Sequence, residues 1–167
     1  MIGEVKTLHP AFRLAVDKIL HGMRTRGWDP VIGSGMRTHE QQDALFAQGR
    51  RDLPYVNSLR KRAGLPAILA AANADTVTNA RAGQSNHNLT QALVGHGRTA
   101  VDIVYGFAVD IVDRRFGWEI PQKKFWKDLG ELAKENGCAW GGDFKKPDPA
   151  HVEMKIVDGA PNTSVVV

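Results

Sequence analysis

The apolar residues of this chain recur at helical spacing in two long segments. Residues 10 to 23 form the first segment, which predicts an amphipathic helix. The second runs from Pro121 to Asn136, with proline in the predicted first turn and a glycine directly after its end. A third, shorter helix is predicted after Thr38 to Gln41, whose residue types form a capping box, and this helix is expected to end at Gly49.

Four further segments have the short apolar or alternating pattern of β-strands. They cover residues 31–35, 107–112, 138–140 and 151–157. In the last of these, polar side chains starting at His151 alternate with apolar side chains starting at Val152. Helices mixed with short, hairpin-like strands favour an α+β fold over a doubly wound parallel sheet. We therefore predict a small antiparallel sheet flanked by helices.

Composition limits the classes of protein to which this chain can belong. Its 167 residues, 18.3 kDa and 43% hydrophobic content suit one soluble domain with a real core. The single cysteine, Cys138, excludes an internal disulfide framework and a cysteine-rich zinc module. The net charge of +4 is mildly basic, but the lysines and arginines are dispersed, which argues against a nucleic-acid binder. No apolar run opens the chain, so we expect neither a secretion signal nor stable membrane insertion.

Three residues beside predicted strands are candidate metal ligands, namely His87, Asp110 and His151. Two imidazoles and one carboxylate suit zinc and leave a coordination position for water. Asp110 lies in an apolar strand, where an isolated carboxylate is unfavourable unless a cation or several donors meet it. A hydrogen-bonded structural aspartate is the alternative for Asp110, and a polar loop histidine is the alternative for His87.

Asp148 and Arg37 are candidates for catalysis. Asp148 lies three residues before His151, where its carboxylate is a candidate general base beside a metal site. A turn aspartate before proline is the alternative. Arg37 follows the turn after the first predicted strand, and its guanidinium is a candidate contact for a substrate carbonyl or carboxylate. An ordinary surface arginine is the alternative.

Four groups of residues follow one another in the order of the motifs of a known family. They are Ser34-Gly35-Met36-Arg37-Thr38, Gly83-Gln84-Ser85-Asn86-His87, Gly106-Phe107-Ala108-Val109-Asp110, and Trp140-Gly141-Gly142-Asp143 with Asp148-Pro149-Ala150-His151. These segments resemble the motifs of zinc D-Ala-D-Ala carboxypeptidases and L-alanyl-D-glutamate endopeptidases, the VanY-like peptidase M15 family. The resemblance extends from about residue 10 to residue 156.

The resemblance implies a zinc D,D-peptidase (hedgehog-like) fold and a zinc ion held by the three candidate ligands. It also implies that Asp148 is the general base and that Arg37 stabilises the oxyanion that develops on the scissile carbonyl. Ser85 and Gln41 would contact the substrate.

Two insertions depart from the family pattern, near residues 51–74 and 89–104. Inside the second insertion, the sequence Ala-Val-Asp-Ile-Val around Asp102 occurs again around Asp110. Either aspartate is therefore a candidate for the carboxylate ligand. The spacing to the preceding glycine and alanine matches the family at Asp110, which favours Asp110 and leaves Asp102 as the alternative.

A single peptidase domain over residues 1–157, followed by a tail at 158–167, resembles a phage endolysin that a separate lysis system releases. The resemblance implies zinc-dependent hydrolysis of the peptidoglycan stem peptide, with the L-Ala–D-Glu bond as the favoured site of cleavage. A D-Ala-D-Ala carboxypeptidase and a non-catalytic wall-binding module are the alternatives. The expected protein is a monomer made in the host cytoplasm without a signal peptide, and it acts on the cell wall, in the periplasm, after release.

Overall fold

The chain divides into two compact units, one discontinuous and one continuous. A computed structural model describes residues 8–88, 106–157 and 160–161. The first unit comprises Met1–Met36 and Tyr105–Val167, and the second comprises Arg37–Val104. The predicted insertion at 89–104, and with it Asp102, lies outside the described residues, as does most of the predicted tail. The single domain over 1–157 stays a prediction.

Four α-helices and six short strands are present among the described residues. The helices are α1 (Pro10–Thr25), α2 (His39–Ala47), α3 (Leu53–Arg62) and α4 (Lys123–Glu135). The strands are β1 (Pro30–Ser34), β2 (Ala108–Asp113), β3 (Cys138–Trp140), β4 (His151–Met154), β5 (Ile156–Val157) and β6 (Ala160–Pro161). None of the helices in the described ranges is long and apolar enough to cross a membrane.

The first unit is built on a four-stranded sheet with the strand order β1-β2-β4-β3. All three neighbouring strand pairs are antiparallel, so the predicted α+β fold with a small antiparallel sheet is confirmed. All six residues of β2 are buried, whereas each of the other three strands of this sheet has at least one partly exposed residue. This burial explains the almost unbroken apolar sequence of β2. Helices α1 and α4 pack against each other, with α1 also against β1 and α4 also against β3.

Strands β1 and β2 are each offset by one residue from the predicted 31–35 and 107–112, and two larger differences concern α4 and the last predicted strand. Helix α4 starts at Lys123, because Gln122 is extended (ψ 106°) and serves as its N-cap. Pro121 therefore precedes the helix instead of occupying its first turn. The strand predicted over 151–157 is split after Met154, because β4 pairs with β2 and β3 whereas β5 pairs with β6 in a separate two-stranded sheet.

Strand β2 ends at Asp113, whose side chain is completely buried. Its carboxylate accepts hydrogen bonds from the backbone amides of Asp29 (3.1 Å) and Arg115 (2.9 Å). The Arg115 guanidinium adds two more, at 2.8 and 2.7 Å. Hydrogen bonds from Arg115 hold the pKa of Asp113 well below its usual range, despite the opposing effect of burial. The turn after β2 is thus fixed by one buried anion.

The second unit begins with the predicted capping box. The Gln41 amide donates to the Thr38 hydroxyl at 3.2 Å, and the Thr38 amide donates to the Gln41 side-chain oxygen at 3.0 Å. Helix α2 ends before Gly49, which has a positive φ of 74°. The segment 51–74, the first of the two predicted insertions, contains the ten-residue α3 and a short 3₁₀ helix.

Candidate active site

Asp110 lies on β2, the strand between β1 and β4. It pairs in register with His151 of β4 and with Ser34 of β1. The β1–β2 register shifts between Ile32 and Ser34, so the ladder is irregular directly beside Asp110. The Asp110 side chain is 7% exposed. The structure thus places a carboxylate inside the sheet, and its cross-strand neighbour is an imidazole.

His151 lies between two carboxylates. Its Nδ1 is 3.3 Å from Oδ1 of Asp110, and its Nε2 is 2.9 Å from Oε2 of Glu153. Burial disfavours the charged imidazolium, but hydrogen bonds and charge from Asp110 and Glu153 outweigh it and raise the pKa of His151 to about 9. Two carboxylates around one buried imidazole make a site that favours a cation.

No functional role was predicted for Glu153 from the sequence motifs. It lies two residues after His151 on β4, so that both side chains are on the same face of the strand. A carboxylate that accepts from the distal ring nitrogen of a metal-binding histidine fixes the ring orientation and leaves the other nitrogen for the metal. The alternation of polar residues after His151 was the available signal for this role.

Asp148 is held beside His151 through the backbone. The Asp148 amide donates to the Gly141 carbonyl at 2.9 Å, and the His151 amide donates to the Asp148 carbonyl at 3.1 Å. Trp140 adds a third tie, because its Nε1 donates to the Pro149 carbonyl at 2.8 Å. The Asp148 residue itself is exposed. The loop is therefore held by three hydrogen bonds, while residue Asp148 remains accessible from solvent.

Gly141 makes this attachment possible. A Cβ at this position would contact the Asp148 carbonyl oxygen and would lie 2.8 Å from Cβ of His151. Gly141 has no positive φ, so the requirement is one of space and not of backbone conformation. The sequence motif contained this glycine, but its function depends on a contact that only the folded chain makes.

We expect Gly141→Ala to displace the loop that contains Asp148 and His151 and to lower, at least tenfold, both the zinc content and the peptidase activity that the sequence motifs imply. Forcing a methyl group into a packed site costs about 1–3 kcal/mol or shifts the backbone. The measurements are metal analysis and peptidoglycan turnover. Gly27→Ala is the control, because it strains a positive φ of 87° but meets no atom within 4 Å. Equal activity losses in both variants would contradict a local effect of Gly141.

His87 and Ser85 lie in one turn of the second unit. Both are buried, and the Ser85 hydroxyl accepts from the His87 amide at 3.3 Å. The Asn88 amide donates to the Ser85 carbonyl at 2.9 Å, and the Arg37 amide donates to the His87 carbonyl at 2.9 Å. Ser85 thus holds the turn that contains His87, and the chain at Arg37 is tied to the same turn.

Gln42 orients the Arg37 side chain. Nη1 of Arg37 donates to the Gln42 side-chain oxygen at 3.3 Å. Gln42 is completely buried, and its amide nitrogen donates to the Thr78 hydroxyl at 3.1 Å and to the Ala80 carbonyl at 2.7 Å. Sequence reasoning missed this residue. A glutamine one turn after the capping threonine, on the inner side of the helix, was the only signal for it.

The predicted site residues fall into both units. In the first unit, the structure brings Asp110 and His151 into contact and attaches Asp148 to His151 by a backbone hydrogen bond. In the second unit, it joins the backbones of Arg37 and His87. Gln41, predicted to contact substrate, has its side-chain oxygen in the capping box. The ligand and catalytic roles of these residues stay predictions.

Known proteins with similar sequences are peptidases of the bacterial cell wall. A family model described as D-alanyl-D-alanine carboxypeptidase matches residues 96–154. Peptidoglycan L-alanyl-D-glutamate endopeptidase CwlK of Bacillus subtilis (strain 168) is 28% identical over 158 residues, which cover 88% of this chain and 73% of the relative. The resemblance predicted from the motifs is therefore confirmed.

Two solved structures have a similar fold. The first is a vancomycin resistance D,D-pentapeptidase, VanY, from a VanB-type resistance cassette in complex with Zn(II). It has a TM-score of 0.51 and 20% identity, and the match covers 87% of this chain and 71% of that one. The second is VanYB in complex with D-Alanine-D-Alanine, with the same TM-score, identity and coverage of this chain and 70% of its own chain covered. At this identity, the likeness shows a common fold.

Proposed function

We propose that this chain, a relative of the zinc D-Ala-D-Ala carboxypeptidases and L-alanyl-D-glutamate endopeptidases, is a zinc-dependent peptidase that hydrolyses the stem peptide of peptidoglycan. The observation that carries the proposal is the buried contact between Asp110 and His151 on paired strands, 3.3 Å apart. A histidine and a carboxylate at this distance are unfavourable in a purely apolar core, but they are favourable as joint ligands of one cation.

Zinc fits the donor types that the chain offers. His87, Asp110 and His151 supply two imidazole nitrogens and one carboxylate oxygen, a set able to hold a metal ion. We propose these three residues as the ligands. Glu153 accepts from Nε2 of His151 at 2.9 Å, so Nδ1, beside Asp110, is the nitrogen left for the metal. Zinc in such a site acts as a Lewis acid and lowers the pKa of water.

Residues of the chain itself carry out the proton transfer, the charge stabilisation and the substrate binding. Asp148, exposed on a loop fixed by backbone hydrogen bonds, takes a proton from the attacking water and passes it to the leaving amine. Arg37, whose guanidinium Gln42 orients, stabilises the negative charge that develops on the scissile carbonyl oxygen. Ser85 and Gln41 contribute to substrate binding.

The L-Ala–D-Glu bond is the proposed site of cleavage, supported by the endopeptidase relative that matches 88% of the chain. Removal of the terminal D-Ala is the second candidate, supported by the carboxypeptidase family match over residues 96–154. We further propose that the protein is a monomeric endolysin, which reaches the cell wall from the host cytoplasm during lysis. The net charge of +4 suits approach to the anionic cell envelope.

Mass spectrometry of peptidoglycan digested by the zinc-loaded protein tests this proposal. New peptides that begin with D-Glu are expected from the endopeptidase. Release of free D-Ala without new amino termini would replace it by the carboxypeptidase. No product from a protein that binds one zinc per chain would leave only a wall-binding role and overturn the proposed hydrolysis.

A further inference from the structure

The solvent-facing side of α4 forms one wall of a groove of about 460 Å³. The buried side of this helix contains Phe125, Leu129 and Ala133. The groove side has residues three or four positions apart, as one helix face requires. The groove is lined by Lys123, Trp126, Lys127, Gly130, Glu131, Lys134 and, from β3, Trp140.

Gly130 allows the Trp140 ring to reach the helix. A glycine inside a helix is destabilising by about 1 kcal/mol relative to alanine. A Cβ at Gly130, however, would lie 2.6 Å from Cε3 of Trp140. The hydrogen bond from Nε1 of Trp140 to the Pro149 carbonyl, at 2.8 Å, fixes the ring in this position. The Trp140 ring, which forms one wall of the groove, is thus held in place by Gly130 and by the Pro149 carbonyl.

Trp126 supplies the second aromatic side chain. It packs edge-on against the buried Phe125, with the ring centroids 4.9 Å apart and the planes at 89°. The residue is only partly buried, so part of the indole is available to a ligand. Two indoles anchored in this way present apolar surface with little conformational entropy left to lose on binding.

Positive charge outweighs negative charge around these two rings, because three lysines and one glutamate line the groove. Among the three groove lysines, Lys134 forms a 2.8 Å ion pair with Asp143. Lys127 is 3.9 Å from Glu131, a carboxylate that is already 2.8 Å from Arg26. The described residues provide no ion pair for Lys123. At least two ammonium groups at the rim, Lys123 and Lys127, are therefore available to an anion.

We propose that this groove binds an acidic polysaccharide. The apolar face of a pyranose ring would pack on Trp126 and Trp140, while a carboxylate or phosphate on the sugar pairs with Lys123 and Lys127. Lysine suits such ligands because an ammonium group donates hydrogen bonds to anions from many directions, whereas planar bidentate recognition requires arginine. None of the groove residues belongs to the proposed catalytic set, so this binding goes beyond the proposed hydrolysis.

The groove and the candidate catalytic loop are connected within the first unit. Trp140 lines the groove and also donates to Pro149, the residue after Asp148. A polymer bound in the groove would therefore be held at a fixed distance from this loop. Such a contact retains the protein on the wall between cleavage events.

Calorimetric titration with octagalacturonate, an acidic pyranose oligomer without peptide bonds, tests the proposal independently of hydrolysis. We expect Trp126→Ala to weaken binding about tenfold. The Lys123→Ala, Lys127→Ala double variant is expected to weaken it about three- to tenfold at low salt and to reduce the salt dependence. The matched controls are Trp118→Ala, which removes a tryptophan that is 60% exposed elsewhere, and the double variant Lys18→Ala, Lys61→Ala.

Four further probes complete the test. A phosphorylated mannan fragment that binds with the same sensitivity to Trp126→Ala supports the proposal and extends the anion to phosphate. Equal binding of neutral chito-oligosaccharide overturns the acidic requirement. Equal binding of polyglutamate or of single-stranded oligothymidylate, with the same loss in the variants, overturns the polysaccharide. No binding of octagalacturonate or of the phosphorylated mannan, or equal losses in the Trp118→Ala control, also overturns the proposal.

Discussion

Replacement of Asp148 by alanine is expected to lower peptidoglycan hydrolysis by about 10²–10⁴-fold, the contribution typical of a general acid–base residue. Zinc content is expected to stay close to one ion per chain. Residue Asp148 is exposed, and its backbone groups bond to Gly141 and His151. The variant thus removes the proton acceptor while keeping the hydrogen bonds that hold the loop. The measurements are turnover of purified peptidoglycan and metal analysis of the same sample.

Two comparison variants separate the proposed base from its surroundings. Asp143→Ala removes an exposed carboxylate from the same segment, one that pairs with Lys134 at 2.8 Å, and is expected to retain activity. His151→Ala is expected to lose both zinc and activity. Loss of zinc in Asp148→Ala, or comparable turnover in Asp148→Ala and Asp143→Ala, would show that Asp148 is not the base.

Asp113→Asn is expected to lower the free energy of unfolding by about 2–4 kcal/mol at pH 7, because charge-assisted hydrogen bonds to a buried anion are lost. Asp113 accepts two backbone amides and two guanidinium hydrogens from residues 29 and 115. A neutral amide of the same shape cannot accept all four. Chemical denaturation of both proteins measures the difference.

The pH dependence of this difference has a defined sign. The pKa of Asp113 is lowered in the folded protein, chiefly by hydrogen bonds from Arg115. Its contribution is therefore complete above the unfolded pKa and declines as the pH falls towards the folded value. Below about pH 4 the gap between wild type and variant should shrink by up to about 1.4 kcal/mol per pH unit.

Asp29→Asn is the control for the same charge change at the surface. The Asp29 side chain is 47% exposed and pairs with Arg114 at 3.2 Å, so its loss is expected to change stability by less than about 1 kcal/mol. A gap between wild type and Asp113→Asn that stayed constant from pH 7 to pH 2.5 would contradict the role of the buried anion.

Elements with local signals were predictable from the sequence. Helix α1 and the start of α2 follow from apolar spacing and from the capping box at Thr38, both of which depend on residues within one or two turns. The end of β4, by contrast, is decided by strand pairing. Strand β4 ends at Met154 because its pairing partners end there, and no residue in the sequence signals that limit.

In the candidate site, too, residue types were predictable from the sequence, whereas contacts made by the fold were not. Residue types and motif order were enough to nominate Asp110 and His151, and the cross-strand register then placed them in contact. Glu153, Gln42 and Gly141 were missed in their positioning roles, because each acts through a contact made by the fold. The choice of Asp110 over Asp102 stays a prediction from motif spacing.

The β1–β2 pairing has a consequence for how the chain folds. These strands are antiparallel neighbours, yet β1 ends at Ser34 and β2 begins at Ala108, so no short hairpin can form them. By contrast, α4, β3 and β4 follow one another closely along the chain, with α4 in contact with β3 and β3 in contact with β4. We expect this C-terminal segment to assemble early and the β1–β2 ladder to close late, since a long intervening chain slows non-local pairing. The carboxylate of Asp110 would then be enclosed only in the last stage of folding.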